Sequence, residues 1–254
     1  MVLKRLDDAL RDGDRVYAVI KGLGSATGGG CDEIAPSVSA CVESLRRAYE
    51  EAKVDTSTVG LLECHASGDP REDMSEASAL VDVFGSAEAE LPLALSSSKS
   101  VIGHAGAAAG LAGLVKAALS LYQEILPPGL EISAPIAPLA AARKRFHSPR
   151  RAQYWLRNRA EGPRRAGVTS LGVDGGCVHV VLQQFEAAMD RIRDAGALGS
   201  PHIGRIGVTQ IALDALGPDR PGCRGGEVAQ QFGFFDKCSV TEIGFGEFPA
   251  HSAQ

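Results

Sequence analysis

The sequence lacks several features that would mark a membrane, secreted or metal-binding protein. No apolar run in its 254 residues is long enough to cross a bilayer, and the N-terminal residues 1–5 do not lead into the apolar core of a signal peptide. The six cysteines contain no C-x-x-C pair, which argues against a zinc site or a disulfide framework. We therefore expect a cytoplasmic protein with reduced thiols and no bound metal.

The charge balance argues against a further class of protein. A formal net charge of −5 does not suggest a nucleic-acid-binding protein. The charge is uneven, because residues 143–165 are dense in Arg and Lys and contain one acidic residue, Glu161. An apolar content of 44% and this length allow one large or two small domains with a proper core.

Short apolar runs alternate with stretches of helical periodicity. This alternation, closed by two β-rich runs, predicts an α/β fold in which helices cover a mixed sheet. The segment from 131 to 163 is expected to be mostly irregular. The predicted strands are 16–20, 59–62, 91–95, 166–171 and 177–183, and the predicted helices are 34–53, 73–84 and 107–122.

A glycine-rich segment at 22–30 follows the first predicted strand. It superficially resembles a phosphate-binding loop, but it lacks the Gly-Lys-Ser/Thr ending and a helix start within reach. We expect a flexible crossover there.

The pattern weakens after Phe185. Residues 199–254 hold many glycines and prolines, with no sustained period and few apolar anchors. The sequence therefore predicts one domain over 1–186 and an irregular linker or poorly ordered tail over 187–254.

Two histidines follow predicted strands. His65 lies just after the strand at 59–62, and His104 lies after the strand at 91–95, five residues beyond Lys99. Loops between a strand and a helix hold the chemistry of open α/β sheets. A single histidine there could simply satisfy a buried carbonyl, but two in this arrangement favour one site with two imidazoles and an ammonium. Such a set suits chemistry in which negative charge develops on an oxygen.

Three segments carry a family resemblance. Residues 63–76 resemble the E-A-H-G-T-G-T-P-x-G-D-P-x-E segment of β-ketoacyl synthases, and residues 99–104 resemble their K-S-x-x-G-H segment. Residues 167–182 resemble their closing G-V-S-S-F-G-F-G-G-T-N-x-H-V-V-L. Three motifs in the family's order, over about two-thirds of the chain, make a specific match. The resemblance is to the C-terminal half of such a domain, of the modular polyketide and polyunsaturated fatty-acid synthase type.

The resemblance implies one half of a thiolase-like layered fold and a role for the histidine pair. His65 and His104 would polarise the thioester carbonyl of a malonyl-type extender, assist loss of carbon dioxide and stabilise the enolate, as neutral imidazoles can. Lys99 would organise His104, with Glu76 as a candidate counter-charge, because an unpaired buried ammonium is costly. The substrate-binding residues implied are Ser67, Gly68, Gly172, Gly175 and Gly176.

The resemblance also sets the expected reaction and partners. The family's nucleophilic cysteine lies upstream of the residues matched, so condensation of an acyl thioester with the extender would need an N-terminal half or the remainder of a synthase. No cofactor is expected to bind directly, since the phosphopantetheine arm of an acyl carrier protein would bring the substrate. Family members dimerise, which makes a homodimer one possible assembly, although contacts from the absent half cannot be presumed. Neither a nucleic acid nor a membrane is expected as a partner.

Cys64 and Cys177 are the candidate substitutes for the nucleophile. Cys64 neighbours His65 in an extended segment, so the two side chains should point to opposite faces. Free cysteine is most often a small core residue. We therefore expect neither thiol to be catalytic.

Departures from the motifs leave the function open. Asp69 replaces a threonine, Ala66 replaces a glycine, and residues 173–174 replace Phe-Gly. These changes fit a divergent enzyme, a non-catalytic half that binds a carrier protein or a synthase, or a truncated gene product. The basic segment at 143–165 could dock an acidic carrier protein or form a solvated face, and Trp155 within it is expected to be a packing anchor.

Overall fold

A computed structural model describes residues 1–28, 35–86, 89, 91–129 and 134–186, and the backbone of a strand at 210–213. The strands are β1 (Val2–Arg5), β2 (Ala18–Thr27), β3 (Leu61–Glu63), β4 (Leu93–Ser96), β5 (Ile125–Leu126), β6 (Phe146–His147), β7 (Gln153–Tyr154), β8 (Arg165–Leu171), β9 (Gly176–Gln183) and β10 (Gln210–Leu213). The helices are α1 (Leu6–Arg11), α2 (Val38–Ala52), α3 (Pro70–Phe84), α4 (Lys99–Ile102), α5 (Ala109–Gln123) and α6 (Ala137–Ala141).

Eight strands form one mixed sheet in the order β1-β10-β2-β9-β8-β3-β4-β6. Strands β2, β9 and β8 are antiparallel neighbours, whereas β8, β3, β4 and β6 run parallel. One core cluster contains Leu45 of α2 and Phe84 of α3, and a second contains Leu114 and Leu121 of α5. The predicted α/β architecture, a mixed sheet covered by helices, is confirmed.

Capping residues fix where two of the helices begin. Ser37 accepts a hydrogen bond from the Ala40 N–H at 3.2 Å and starts α2. Helix α3 begins three residues before the predicted position 73, because Asp69 caps it and Pro70 occupies its first turn. The apolar period alone did not reveal this polar first turn.

The expectation of a flexible crossover in the glycine-rich segment is wrong for its described part. Strand β2 continues to Thr27 and pairs with β9 up to Gly176. Glycine is needed because α2 lies directly against this strand: a Cβ on Gly24 would lie 1.9 Å from the Ser44 carbonyl oxygen. The glycines therefore allow close approach of a helix to a strand.

Two segments expected to be irregular contain short elements. Helix α6 and strands β6 and β7 lie within the segment from 131 to 163, and β10 lies within 187–254, between β1 and β2 in the sheet. Apart from β10, residues 187–254 lie outside the described part, so their assignment as a linker or tail stays a prediction. None of the described helices has the length and apolar character needed to span a membrane.

Candidate functional site

The two histidine loops leave the same edge of the sheet. Strands β3 and β4 are parallel neighbours, with Glu63 opposite Ser96. The loops that follow them therefore start side by side. The ring centroids of His65 and His104 lie 5.6 Å apart with an interplanar angle of 77°. The structure thus brings together the two imidazoles that are 39 positions apart in the sequence.

His65 is a buried, neutral imidazole with a defined tautomer. Its Nδ1 accepts a hydrogen bond from the Leu171 N–H of β8 at 3.2 Å, so the ring proton sits on Nε2. The side chain is buried, with His65 as a whole 3% exposed. Burial, followed by the charges of Lys99 and His104, lowers the pKa of His65 to about 3. His65 is therefore uncharged near neutral pH and presents an Nε2–H donor.

His104 has the same tautomer in an exposed position. Its Nδ1 accepts a hydrogen bond from the Gly106 N–H at 3.1 Å, which places the ring proton of this tautomer on Nε2. The loop reaches this shape through positive φ angles of 75° at Gly103 and 58° at Gly106. The two rings together offer two Nε2–H donors.

Glu76 of α3 holds the His65 loop in place. Its two carboxylate oxygens accept the N–H groups of His65 at 2.7 Å and Ala66 at 2.8 Å. Burial raises the pKa of Glu76 to about 7, against the effect of these hydrogen bonds and of Lys99. Glu76 acts on the Lys99 ammonium as a counter-charge, but the two groups form no ion pair within 4.0 Å in the described part of the chain. The backbone N–H groups take the carboxylate instead.

Lys99, the first residue of α4, is half-buried beside the pair. Burial lowers its pKa, and the carboxylates of Glu76 and Glu63 oppose that shift. Among the described residues no hydrogen bond joins Lys99 to His104, so the expected support of His104 is not seen. Its charge acts on His65, whose pKa it lowers.

An ion pair between the buried Glu63 and the half-buried Lys116, which the sequence did not predict, links both loops to α5. Glu63, at the end of β3, lies 3.0 Å from the Lys116 ammonium through its Oε2, and its Oε1 accepts the N–H of Ser98. Lys116 also donates to the Ser96 hydroxyl at 2.6 Å. Two features of the sequence could have predicted this ion pair: an acidic residue at the end of an apolar strand, and a lysine within an otherwise apolar helix.

The residues expected to bind substrate lie in two turns beside His65. Ser67 accepts the Asp69 N–H at 3.2 Å, and Gly68 has a φ of 88°. These contacts shape the segment between His65 and α3. They assign no ligand to Ser67 or Gly68.

The second turn joins β8 to β9. Gly172 donates its N–H to the Gly176 carbonyl at 2.8 Å, and Gly175 has a φ of 80°. The turn follows Leu171, whose N–H binds His65. The structure therefore places Gly172, Gly175 and Gly176 next to the buried imidazole.

The candidate substitute thiols are core residues. Cys64 is buried, and burial, followed by the charges of Glu76 and Glu63, raises its pKa well above the usual value. Cys177 is fully buried, with its Sγ 3.5 Å from that of Cys41. A raised pKa leaves little thiolate, so Cys64 is a poor nucleophile.

Much of the basic segment is used within the fold. Arg145 is buried and donates to the carbonyls of Leu91 at 3.0 Å and Thr56 at 3.2 Å. Arg164 pairs with Glu124 at 3.0 Å. Trp155 is buried, so its assignment as a packing anchor is confirmed. The basic side chains left on the surface are Arg143, Lys144, Arg150, Arg151 and Arg159.

A cavity of about 440 Å³ lies at the opposite edge of the sheet. Its lining includes Val59 and Pro92, which precede β3 and β4, together with His147 and Trp155. None of its lining residues belongs to a histidine loop, so this cavity is separate from the histidine site.

Known proteins resemble this chain over most of its described length. Residues 17–133 match the family described as "Beta-ketoacyl synthase, C-terminal domain". The chain is 41% identical over 185 residues to a mycocerosic acid synthase-like polyketide synthase of Mycobacterium tuberculosis, covering 72% of the chain and 9% of that protein. It is 39% identical over 195 residues to one component of the polyunsaturated fatty acid synthase of Thraustochytrium sp., covering 73% of the chain and 7% of that protein.

A solved structure is also similar to this chain. The ketosynthase from module 6 of the bacillaene synthase of Bacillus subtilis 168 superposes with a TM-score of 0.66 at 32% identity, over 72% of this chain and 33% of the ketosynthase. The chain therefore spans 9% and 7% of the two curated relatives and 33% of a solved ketosynthase.

Proposed function

We propose, since this chain belongs to the β-ketoacyl synthases as the C-terminal half of such a domain, that His65 and His104 bind the thioester oxygen of a malonyl-type extender. The reaction is decarboxylative condensation. Carbon dioxide leaves the extender, the enolate carbon forms a bond to an acyl carbonyl, and the thioester that held the acyl group breaks.

The observation that carries this proposal is the shared tautomer of two adjacent rings. Both Nδ1 atoms accept backbone N–H groups, at 3.2 Å for His65 and 3.1 Å for His104, and the rings lie 5.6 Å apart. Two preoriented Nε2–H donors suit an oxygen on which negative charge develops. Because His65 is uncharged near neutral pH, its Nε2–H donates a hydrogen bond to the oxygen and does not transfer a proton to it.

The proposal requires two partners. A cysteine nucleophile has to come from the other half of a ketosynthase domain, because Cys64 and Cys177 are buried. An acyl carrier protein would deliver the extender on its phosphopantetheine arm. The exposed basic residues, among them Arg150 and Arg151, could attract an acidic carrier.

Decarboxylation of malonyl-acyl carrier protein tests the proposal. The chain, co-expressed with the cysteine-bearing half of a polyketide ketosynthase, should release carbon dioxide and leave acetyl-carrier protein. His65→Ala and His104→Ala should each slow this step by about 100-fold or more, as loss of an oxyanion donor does. Glu43→Gln, at an exposed carboxylate paired with Arg47, is the matched control. A rate for His65→Ala within twofold of the parent would contradict the proposal.

A non-catalytic role as an interaction module is the second candidate. The observation that favours it is the exposure of apolar side chains in α4 and in the turn between β8 and β9, where Val101, Ile102 and Val173 are 77%, 62% and 83% exposed. Carrier-protein binding that is unchanged by the two histidine substitutions, with no decarboxylation in the reconstituted mixture, would support this role over catalysis.

A further inference from the structure

Two buried cysteines from distant parts of the sequence lie in direct contact. The Sγ of Cys41, in α2, lies 3.5 Å from the Sγ of Cys177, in β9. Cys41 is 3% exposed and Cys177 is 0% exposed, and both belong to the same core cluster. The packing of α2 against β9 therefore holds together two free thiols that are 136 positions apart in the chain.

Cys177 is a departure of this chain from the closing motif that residues 167–182 resemble. The eleventh residue of that motif is asparagine, and Cys177 takes its place. The contact between the two thiols is thus a feature of this chain and does not follow from the family motif.

The two thiols differ in how readily they ionise. The hydrogen bond with Cys41 lowers the pKa of Cys177, and burial opposes that shift. The same contact, together with burial, raises the pKa of Cys41. Because the thiolate is the form that a peroxide oxidises, Cys177 is the thiol to react first, with Cys41 beside it as the resolving thiol. No hydrogen bond joins Cys64 to another thiol among the described residues.

The thiol pair lies next to the residue that orients His65. In the pairing of β8 with β9, Cys177 lies directly opposite Leu171. The Leu171 N–H binds the Nδ1 of His65 at 3.2 Å. A disulfide requires the two Sγ atoms to move about 1.5 Å closer together than they lie here. In a close-packed core such a movement of β9 is passed to its neighbours, and Leu171 is one of them.

We propose that Cys41 and Cys177 form a redox-sensitive pair, which a peroxide converts into a disulfide that ties α2 to β9 and shifts the support of His65. The Cys177 thiolate takes one oxygen from hydrogen peroxide and becomes a sulfenic acid, and hydroxide is released. The Cys41 thiol then attacks the Cys177 sulfur, so that an S–S bond forms, the S–O bond breaks and water leaves. In total, the thiols lose two hydrogen atoms and the peroxide becomes two molecules of water.

Burial of the pair sets which reagents can reach it. Hydrogen peroxide is small and uncharged, so brief local opening of the fold is enough to admit it. An acyl thioester of coenzyme A is far larger and would need much wider opening. The pair is therefore expected to respond to a peroxide and not to a thioester. This proposal does not depend on the proposed condensation activity.

Peptide mapping of the peroxide-treated full chain tests the pairing. The folded protein is incubated with hydrogen peroxide, the peroxide is removed with catalase, and the remaining thiols are blocked with N-ethylmaleimide in urea. A digest without reductant should contain a cross-linked pair of peptides that joins Cys41 to Cys177 and that dithiothreitol separates. The proposal is overturned if both thiols are still available to N-ethylmaleimide, or if Cys177 is joined to a different cysteine.

Two serine variants separate the pair from the other thiols. In Cys41→Ser the resolving thiol is absent, so Cys177 should be oxidised further to a sulfinic acid that dithiothreitol does not reverse. An unmodified Cys177 in that variant would contradict its assignment as the first thiol to react. Cys64→Ser is the matched control, because Cys64 is also a buried free thiol, and it should keep the yield of the link within about twofold of the parent. The map of the parent protein decides the pairing even if Cys41→Ser does not fold.

The ring signals of histidine test the effect on the site. In the chain labelled with 15N-histidine, peroxide treatment should shift the signals of His65, and dithiothreitol should restore them. His147, in β6 at the edge of the sheet, is the internal reference and should not shift. Unchanged His65 signals in a fully cross-linked sample would overturn the effect on His65 and confine the disulfide to the core.

Discussion

Burial keeps two histidines of this protein, His65 and His179, neutral near pH 7. His65 is held through Nδ1 by a backbone N–H. His179 is fully buried, with Thr169 Oγ1 at 3.0 Å from its Nδ1 and Tyr49 OH at 3.2 Å from its Nε2. Burial lowers the pKa of His179 to about 3.

The pH dependence of stability should reveal His179. A histidine whose pKa is lower in the folded state stabilises the fold fully above its unfolded pKa of about 6.5, and this contribution is lost as the pH falls toward the folded pKa. Burial raises the pKa of Glu76 to about 7, which acts in the opposite direction. Removing one histidine therefore isolates its contribution.

His179→Gln should shrink the loss of unfolding free energy between pH 7 and pH 5 by about 1–2 kcal/mol. Urea denaturation at the two pH values measures this difference. A loss equal to that of the parent protein would show that His179 does not stay neutral in the fold.

A single residue in the His65 loop carries backbone strain. Ala66 has a φ of 39°, in the left-handed region where glycine is favoured. Ala66→Gly should therefore raise the free energy of unfolding by about 1 kcal/mol, measured by urea denaturation. Ala112→Gly, inside α5, is the control and should lower it by about 1 kcal/mol. A destabilised Ala66→Gly protein would mean that the loop relaxes around alanine without strain.

At the scale of elements, one ion pair joins β3 to α5. Glu63 is 2% exposed, so its carboxylate depends on Lys116 for charge compensation. Breaking one side of such a pair costs more than removing both, since a lone buried charge remains.

Lys116→Met should lower the free energy of unfolding by about 3 kcal/mol. The double variant Glu63→Gln with Lys116→Met should recover most of this loss. Thermal and urea unfolding of the single and double variants give the coupling energy. Additive losses would show that the two groups act independently.

At the scale of the whole molecule, the sheet order decides which thiols are reachable. Cys64 follows β3 directly, and Cys177 lies in β9, in the same core cluster as residues of α2. Both side chains are buried.

The chain by itself should therefore form no acyl adduct at these thiols. Incubation with acetyl-CoA followed by intact-mass spectrometry and peptide mapping should show no stoichiometric acetyl group on Cys64 or Cys177. The unfolded chain in urea, where both thiols are free to ionise, is the control for reagent quality. A stoichiometric adduct on either residue in the folded chain would identify a nucleophile within this half.

The main elements of the fold were predictable because their signals are local. The apolar period marked α2 and α5 within a few residues, and the runs before His65 and His104 marked β3 and β4. The continuation of β2 through its glycines was not predictable, since their spacing is set by the backbone of α2 lying against them.

The sequence by itself determined the alternation of strands and helices, the motif order and the two histidines that belong to one site. Only the tertiary structure decided that Glu72 faces His65, that Glu76 binds backbone N–H groups rather than Lys99, and that Glu63 pairs with Lys116. The physical reason is that periodicity records which face of an element is buried. The partner of a buried charge depends on distances between elements, which are fixed only when sheet and helices pack together.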